Sequence, residues 1–418
     1  MKVFSGPFKN ERKILALGAE SAGNFSFFDG KEVYLSDDFG DLLDEESFDK
    51  FQKAVLDFIA EKGKPEVVLT DLHPLLRTTE WGKELAERFS AKFVQVQHHH
   101  AHIFSAVADY LFQICHSELE SESISKKSGF RIGVRNDIDD FIGIACDGTG
   151  YGLDKRIWGG EVFKFRDCKA KRIGKLEDQT MIGGELAIKE PARMLISILG
   201  KFLPKEKVYK YVKKFYDRNQ FELLWNQWQE GFNCMKTSST GRVLDAVSVL
   251  LGFSGNERPY KHAPIDLLEK NSNKPYEIEP IVSRGVILGT ERTPESKDRK
   301  MNMDSGQARM TDNDIFELQT TELFKYLVKN IDKDKKRLAA TAQMYLARGL
   351  WDIISSFCHP EGSKDFKIFF AGGMSDNKIM SEYLSSKGVI SSKEIPRGDA
   401  GISLGQLMYY LSGLSSQL

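Results

Sequence analysis

Cysteine is scarce in this 418-residue chain: Cys115, Cys146, Cys168, Cys234 and Cys358 are odd in number, far apart and form no C-x-x-C pair. That pattern argues against a zinc knuckle or a disulfide framework, and reduced, mostly buried thiols are expected. Net charge is equally scarce. Lys and Arg together number 59, Asp and Glu 60, a formal charge of -1, so nothing points broadly to nucleic acid or membrane, and neither is expected as a partner. No apolar run reaches membrane-spanning length, and the opening MKVFSGPFKNERKILALG lacks an apolar core followed by a small-residue cleavage site. A cytoplasmic protein is therefore expected. What is present instead is 41% apolar and 28% charged residues, the balance of a soluble globular protein. The length suits two or three domains with a large interior.

Hydrophobic periodicity divides the chain into short strands and helices. KILALGAE, NFSFFDG and KEVYLSDD read as an antiparallel meander punctuated by Gly and Asp. ESFDKFQKAVLDFIAEKG then places Phe48, Phe51, Val55, Phe58 and Ile59 at helical intervals and stops at a glycine. PEVVLTD, WGKELAERFS, AKFVQVQ and HIFSAVADYLFQI continue as strand, helix, strand, helix. After the polar HSELESESISKKSG, the pattern restarts with DFIGIACDGTGYG, RIWGGEVFKF and KAKRIGKLE as strand, hairpin and strand. The chain closes with helix TAQMYLARGLWDIISSF, strand KIFFAGG, helix NKIMSEYLSSKG, strand ISSKEIP and helix GISLGQLMYYLSG.

Two copies of one pattern predict two similar α/β lobes facing a cleft, with ligands at the strand ends. The boundaries read as 1–115 for the first lobe, 116–138 for a polar insertion, and 139–418 for the second lobe. The second lobe carries a helical insertion at about 188–255 and a charged loop at about 289–314.

Half of the eight histidines fall in VQHHHAH, where His98 and His102 are four apart and share one face of a helix. That is metal-ligand spacing, and it also arises on solvated helices. CDGTGYG delivers Asp147 from a strand into a glycine-rich turn, suited to a cation and to phosphate approach, or to a plain hairpin turn. FFAGGMSDN offers bare backbone before a helix, for a nucleotide or simply for a tight turn. PRGDAGISLGQ places Asp399 at a helix start, where it serves as a site residue or as an N-cap. TSSTGRVLDAVSVLLG sets hydroxyls and Arg242 at a helix start, as a binding element or a capped core helix.

Taken together and in this order, ILALGAESAGNFSF, DLHP, VQHHHAH, CDGTGYGLDKRIWGGE, GGELAIKEPARM, TSSTGRVLDAVSVLLG, AGGMSDN and PRGDAGISLGQ resemble the Kae1-like carbamoyltransferase domain of the HypF-type hydrogenase-maturation proteins. The resemblance runs from about Lys13 to Gly413. It implies an α/β fold of two actin, sugar-kinase and Hsp70-like (RNase H-like) lobes around a nucleotide cleft, with a helical insertion. It also implies one divalent metal ion and ATP or carbamoyl-adenylate as cofactors. By match of motif, the metal ligands would be His98, His102, Asp147 and Asp399, a set suited to iron or zinc more than magnesium. His98, His102 and Asp147 would carry catalysis, with His99 and His100 as supporting or substrate contacts. Gly148, Gly150, Gly372, Gly373 and Asn377 would line the nucleotide.

The activity implied is transfer of a carbamoyl group from carbamoyl-adenylate to an acceptor, in that family the cysteine thiol of a HypE-like protein in [NiFe]-hydrogenase maturation. No segment matches the acylphosphatase-like, zinc-finger or YrdC-like modules, so a separate YrdC-like protein is the expected source of adenylate. Alternatives are O-carbamoylation of a small molecule, or a nucleotide-binding regulatory protein without transfer. Lys261 and His262 in PYKHAPIDLLE stand where the family tends to have Glu-Gly.

Overall fold

The computed structural model describes residues 1–5, 10–120, 140–166, 169–286, 314–357 and 366–413. Its first sheet has six strands: β1 (Lys2–Ser5), β2 (Ile14–Ala16), β3 (Ser26–Phe28), β4 (Glu32–Leu35), β5 (Val67–Asp71) and β6 (Lys92–Val96). They lie in the order β1-β4-β3-β2-β5-β6. The meander read from the sequence is β2, β3 and β4, antiparallel throughout, while β5 adds parallel to β2 and β6 parallel to β5. Strand β1 was not foreseen; it pairs antiparallel with β4.

Helix α1 (Glu45–Lys62) forms where the periodicity places it. Asp44 accepts from the Ser47 N–H, Gly63 ends the helix, and Phe48, Phe51, Val55 and Ile59 are buried along one face. Helix α2 (Arg77–Phe89) and α3 (His98–Glu120) complete this part. The expected start of α3 at His102 is early in the structure by a full turn, at His98, and the helix runs on through Glu120 into the segment read as a polar insertion. Residues 121–139 and most of the charged loop, 287–313, lie outside the described residues.

The second sheet centres on the long hairpin β7 (Asp140–Tyr151) and β8 (Ile157–Arg166), followed by β9 (Lys169–Leu176) and β10 (Gln179–Ile182). The helical insertion contains α4 (Leu186–Lys189), α5 (Ala192–Gly200), α6 (Lys205–Val212), α7 (Arg218–Glu230) and α8 (Thr240–Leu251). It also contains a strand, β11 (Cys234–Thr237), which pairs with β10 and touches β8. Helix α9 (Ala263–Lys270) leads to β12 (Val282–Val286) and β13 (Asp314–Leu318), which extend the sheet beyond β9. Helices α10 (Thr320–Lys329) and α11 (Lys335–Phe357), strand β14 (Lys367–Ala371), α12 (Lys378–Ser386) and α13 (Ile402–Leu411) close the chain. Strand β14 pairs parallel with β7. The strand expected at ISSKEIP is reduced to a single bridge between Ile390 and Phe369. Its only large aliphatics are Ile390 and Ile395, too few to build a buried face.

The fold departs from a division at residue 139. Helix α13, last in sequence, sits on the first sheet: the Gln406 side chain accepts from the Gly18 N–H at 3.0 Å, and Ser403 pairs with Ser26 at 2.9 Å. Helix α3 in turn packs on β7 and β14 of the second sheet. One apolar core therefore joins Ile14, Val67, Ile103, Phe104, Phe141, Phe369, Leu404 and Leu407 across both lobes. A glycine permits the α3–α13 contact, because a Cβ at Gly405 would stand 1.8 Å from the Ala101 carbonyl oxygen. That close packing sets α3 and the start of α13 side by side.

Candidate metal centre and cleft

Four side chains converge where these elements meet. His98 opens α3 immediately after β6 and Gln97, and His102 follows one turn later, the two rings 4.7 Å apart and nearly perpendicular at 88°. Asp147 lies within β7 where the ladder with β8 loses register between Cys146 and Gly150. Asp399 starts the short 3-10 turn Asp399–Gly401 that leads into α13, and its side chain makes no N-cap bond. One ligand atom from each of His98, His102, Asp147 and Asp399 lies within 4.8 Å of the others. His98 Nε2 is 3.3 Å from Asp147 Oδ2, and His102 Nε2 is 3.5 Å from Asp399 Oδ1.

The electrostatics of the group match its geometry. Burial alone would hold the His98 imidazole neutral, but Asp71 and Asp147 beside it raise it well above the usual histidine range. Burial opposes charge on His102 as well, and Asp147 and Asp399 raise it. Burial likewise penalises the Asp147 carboxylate, yet the two histidines hold it well below the usual carboxylate range. Asp399 is depressed for the same reason, against the repulsion of Asp147, with Lys261 assisting. Both nitrogens of the buried His102 lack a hydrogen-bond partner among the described residues. A buried imidazole without a partner is costly, and a cation at the centre of the four ligand atoms would satisfy its Nε2. Two imidazoles and two carboxylates fit a divalent ion of the iron or zinc kind better than magnesium.

Asp71 was quoted within DLHP but not singled out, and it is the residue that orients the site. Its Oδ2 is 2.7 Å from His98 Nδ1, and its Oδ1 accepts the His73 N–H at 2.9 Å. This fixes the His98 tautomer so that Nε2 faces Asp147 and Asp399. Asp71→Asn is expected to weaken metal binding by about 10- to 100-fold while leaving stoichiometry at saturation unchanged; a competition titration with a metal-sensitive dye measures it, and equal affinity would remove Asp71 from this role. Lys261 and Ser21 were also missed. Both reach Asp399 Oδ2, Lys261 at 2.7 Å, leaving Oδ1 for the histidine side.

His98, Asp147 and Asp399 border a cavity of about 370 Å³, with His102 buried behind them, within the range of small-ligand sites. Of the glycines expected at a nucleotide, Gly148, Gly150 and Gly373 line it. Gly150 chiefly makes room for the histidines, since a Cβ there would lie 2.4 Å from His99 Cε1 and 2.8 Å from His98 Cδ2. At Gly373 a Cβ would stand 3.1 Å from Asp147 Oδ1. Gly372 and Asn377 are placed differently from the expectation, off the cavity wall. Gly372 has φ +92° and passes the Cys146 carbonyl so closely that a Cβ would be 2.3 Å from its oxygen. Asn377 caps α12, accepting from the Met380 N–H and donating to Gln343 at 2.7 Å.

His99 and His100 are likewise not among the cavity-lining residues. His99 Nδ1 pairs with Gln97 at 2.9 Å, and His100 stacks among Phe163, Phe165 and Tyr409, where burial pushes it down to about 3. Of the four histidines in HHHAH, two thus belong to the candidate ligand set and two to the packed interior. Cys146 and Cys234 are free thiols.

Residues 143–406 match the family model described as carbamoyltransferase, Kae1-like domain, second subdomain, and residues 9–109 match the HypF Kae1-like domain. The chain belongs to the HypF carbamoyltransferase family. It is 32% identical over 415 residues to the probable carbamoyltransferase HypF of Methanocaldococcus jannaschii, covering 96% of this chain and 47% of that protein. With the carbamoyltransferase HypF of Synechocystis, identity is 25% over 438 residues, covering 96% and 48%. The fold superposes on a crystal structure of T. kodakarensis HypF with TM-score 0.76 and 26% identity, covering 98% of this chain and 49% of that one. A second crystal structure, full-length HypF in its phosphate- and nucleotide-bound form, gives TM-score 0.77 at 23% identity, covering 99% and 48%. The chain spans about half the length of the HypF relatives it matches. Among the described residues no helix is long and apolar enough to cross a membrane.

Proposed function

We propose that this chain is a carbamoyltransferase that binds carbamoyl-adenylate in the cleft and passes the carbamoyl group to a cysteine thiol of a HypE-like acceptor protein. The observation that carries the reading is the convergence of His98, His102, Asp147 and Asp399 within 4.8 Å, three of them, His98, Asp147 and Asp399, on the wall of one ligand-sized cavity. These residues would hold one divalent ion, iron or zinc. Such an ion, when bound, supplies Lewis-acid polarisation of the carbamoyl carbonyl.

The chain's own residues do the rest. Asp71 holds His98 in the ligating tautomer, and Lys261 with Ser21 keeps Asp399 turned toward the histidines with one oxygen. Gly148 leaves bare backbone toward the cavity for the nucleotide end of the ligand. In transfer, the acceptor sulfur forms a bond to the carbamoyl carbon, the carbon–oxygen bond to the adenylate phosphate breaks, the thiol proton is lost to solvent and AMP leaves.

The adenylate itself is proposed to come from a separate YrdC-like protein. Mixing this chain with a YrdC-like protein, carbamoyl phosphate, ATP and a HypE-like acceptor is expected to add one carbamoyl group to the acceptor, read by mass spectrometry. Omitting the YrdC-like protein is expected to remove the product. No modification in the complete mixture, with metal and nucleotide both bound, would overturn the acceptor assignment, and robust turnover by this chain alone would overturn the division of labour.

A further inference from the structure

The cavity has a second pole, opposite in charge to the carboxylate–imidazole group. Arg242 lies in the first turn of α8 with its side chain 3% exposed, and Arg258 lies just beyond that helix with its side chain 11% exposed. Both guanidinium groups reach a single carboxylate, Asp245 Oδ2, Arg242 at 3.0 Å. Two guanidinium groups thus share one directly paired carboxylate, and Asp147 is a further anion acting on Arg242. The pairing is also incomplete. Arg242 Nε and Nη1 and Arg258 Nε are buried without a hydrogen-bond partner among the described residues. Burial lowers Arg242 to about 10, which leaves it charged at neutral pH. An under-bonded buried guanidinium is expensive to keep unless something else meets it.

Arg242 and Arg258 both line the cavity that carries the metal-ligand group. A Cβ at Gly148 would meet nothing nearer than Arg242 Nη2 at 3.6 Å, so the guanidinium and a bare stretch of backbone border the same space. That backbone is the segment 147–149, where β7 and β8 lose register. Lys261 stands at the rim with its side chain half exposed.

We propose that Arg242 and Arg258 form an oxyanion subsite for a phosphate group, able to hold inorganic phosphate without metal or nucleoside. The planar guanidinium fork, offered twice by Arg242 and Arg258 on one stretch of the wall, suits tetrahedral phosphate oxygens. The inference rests on the reading of the cleft as the place of an acyl-phosphate-type ligand, and it assigns the residues that grip that ligand's phosphate.

The experiment is a calorimetric titration of chelator-treated, metal-free protein with inorganic phosphate at neutral pH. Wild type is expected to bind saturably, and to bind acetate at least about tenfold more weakly. Arg258→Gln is expected to lose at least about tenfold in phosphate affinity while keeping its metal stoichiometry. Arg258→Lys keeps the charge beside Asp245 but not the fork; it is expected to lose affinity too, and it serves if Arg258→Gln does not fold. Wild-type affinity in Arg258→Lys or equal affinity for acetate would each overturn the subsite. Phosphate binding that persists in a protein unable to transfer carbamoyl groups would sink the transferase reading and leave the subsite standing.

Discussion

Alanine at both His98 and His102 is expected to abolish stoichiometric metal binding while the fold persists. Two carboxylates, Asp147 and Asp399, would remain of the four candidate ligands, and an ion that prefers nitrogen donors is not retained by two oxygens. The fold persists because α3 is anchored by other residues, among them Ile103, Phe104, Val107 and Leu111, all in the core shared by both lobes. Metal analysis by mass spectrometry on the folded variant measures the effect, and an unchanged stoichiometry would show the ion to be elsewhere.

A pH dependence accompanies this loss. Without metal, His98 is raised well above and His102 above the usual histidine range, so protons compete with an incoming ion to higher pH than at free imidazoles. Metal affinity in the wild type should therefore climb as pH rises, by up to about a hundredfold per unit while two protons are released. The stability of the metal-free protein moves the other way: a raised imidazole stabilises the fold fully below its unfolded value, and that contribution is lost as pH rises through the folded value. Chelated protein should thus lose stability on the alkaline side of neutrality, where the metal-bound protein does not.

The second large effect is expected from Gly405→Ala, a change of one methyl group that adds no charge. The new Cβ would lie 1.8 Å from the Ala101 carbonyl oxygen and 3.0 Å from the Ser105 nitrogen. These are backbone atoms of α3, so no side chain can swing aside and the two helices must separate. A loss of about 3 kcal/mol in stability is expected by urea denaturation. Metal affinity should fall with it, because α3 carries His98 and His102 while Asp399 leads into α13. Gly255→Ala, where a Cβ meets nothing within 4 Å, is the control and should change neither. Wild-type stability in Gly405→Ala would mean that α3 and α13 are not locked as described.

Elements made by neighbours in sequence were legible. The meander β2-β3-β4, helix α1 with its glycine stop, and the hairpin β7-β8 follow from period-2 and period-3.6 patterns with local turn residues. What failed to show were strands whose partners lie far along the chain. β11 pairs with β10 and β8, and β13 joins β9, and short four- or five-residue runs carry no periodicity strong enough to announce such pairings. The reverse error at ISSKEIP has the same origin: β-favouring residues with no edge able to pair with more than Ile390.

The site divides along the same line. His98 and His102 share a helix face because four residues make about one turn, which is a local fact; the glycine turn read after Asp147 is instead a register shift inside β7, because pairing with β8 resumes at Gly150. The assignment of Asn377 to a nucleotide went the other way, since the same sequence signal serves an N-cap, and only its bonds to Met380 and Gln343 distinguish the two. The sequence by itself determined the element types, the residues able to ligate and the family they resemble, because those depend on spacing within a few turns of chain. Tertiary structure alone decided that Asp71 orients His98, that Lys261 and Ser21 turn Asp399, that His99 and His100 belong elsewhere, and that Arg242 and Arg258 share one carboxylate. Each of those relations joins segments that meet only when α3 and α13 lock the two sheets together, and electrostatic partners at a few ångströms leave no periodic trace in the chain that carries them.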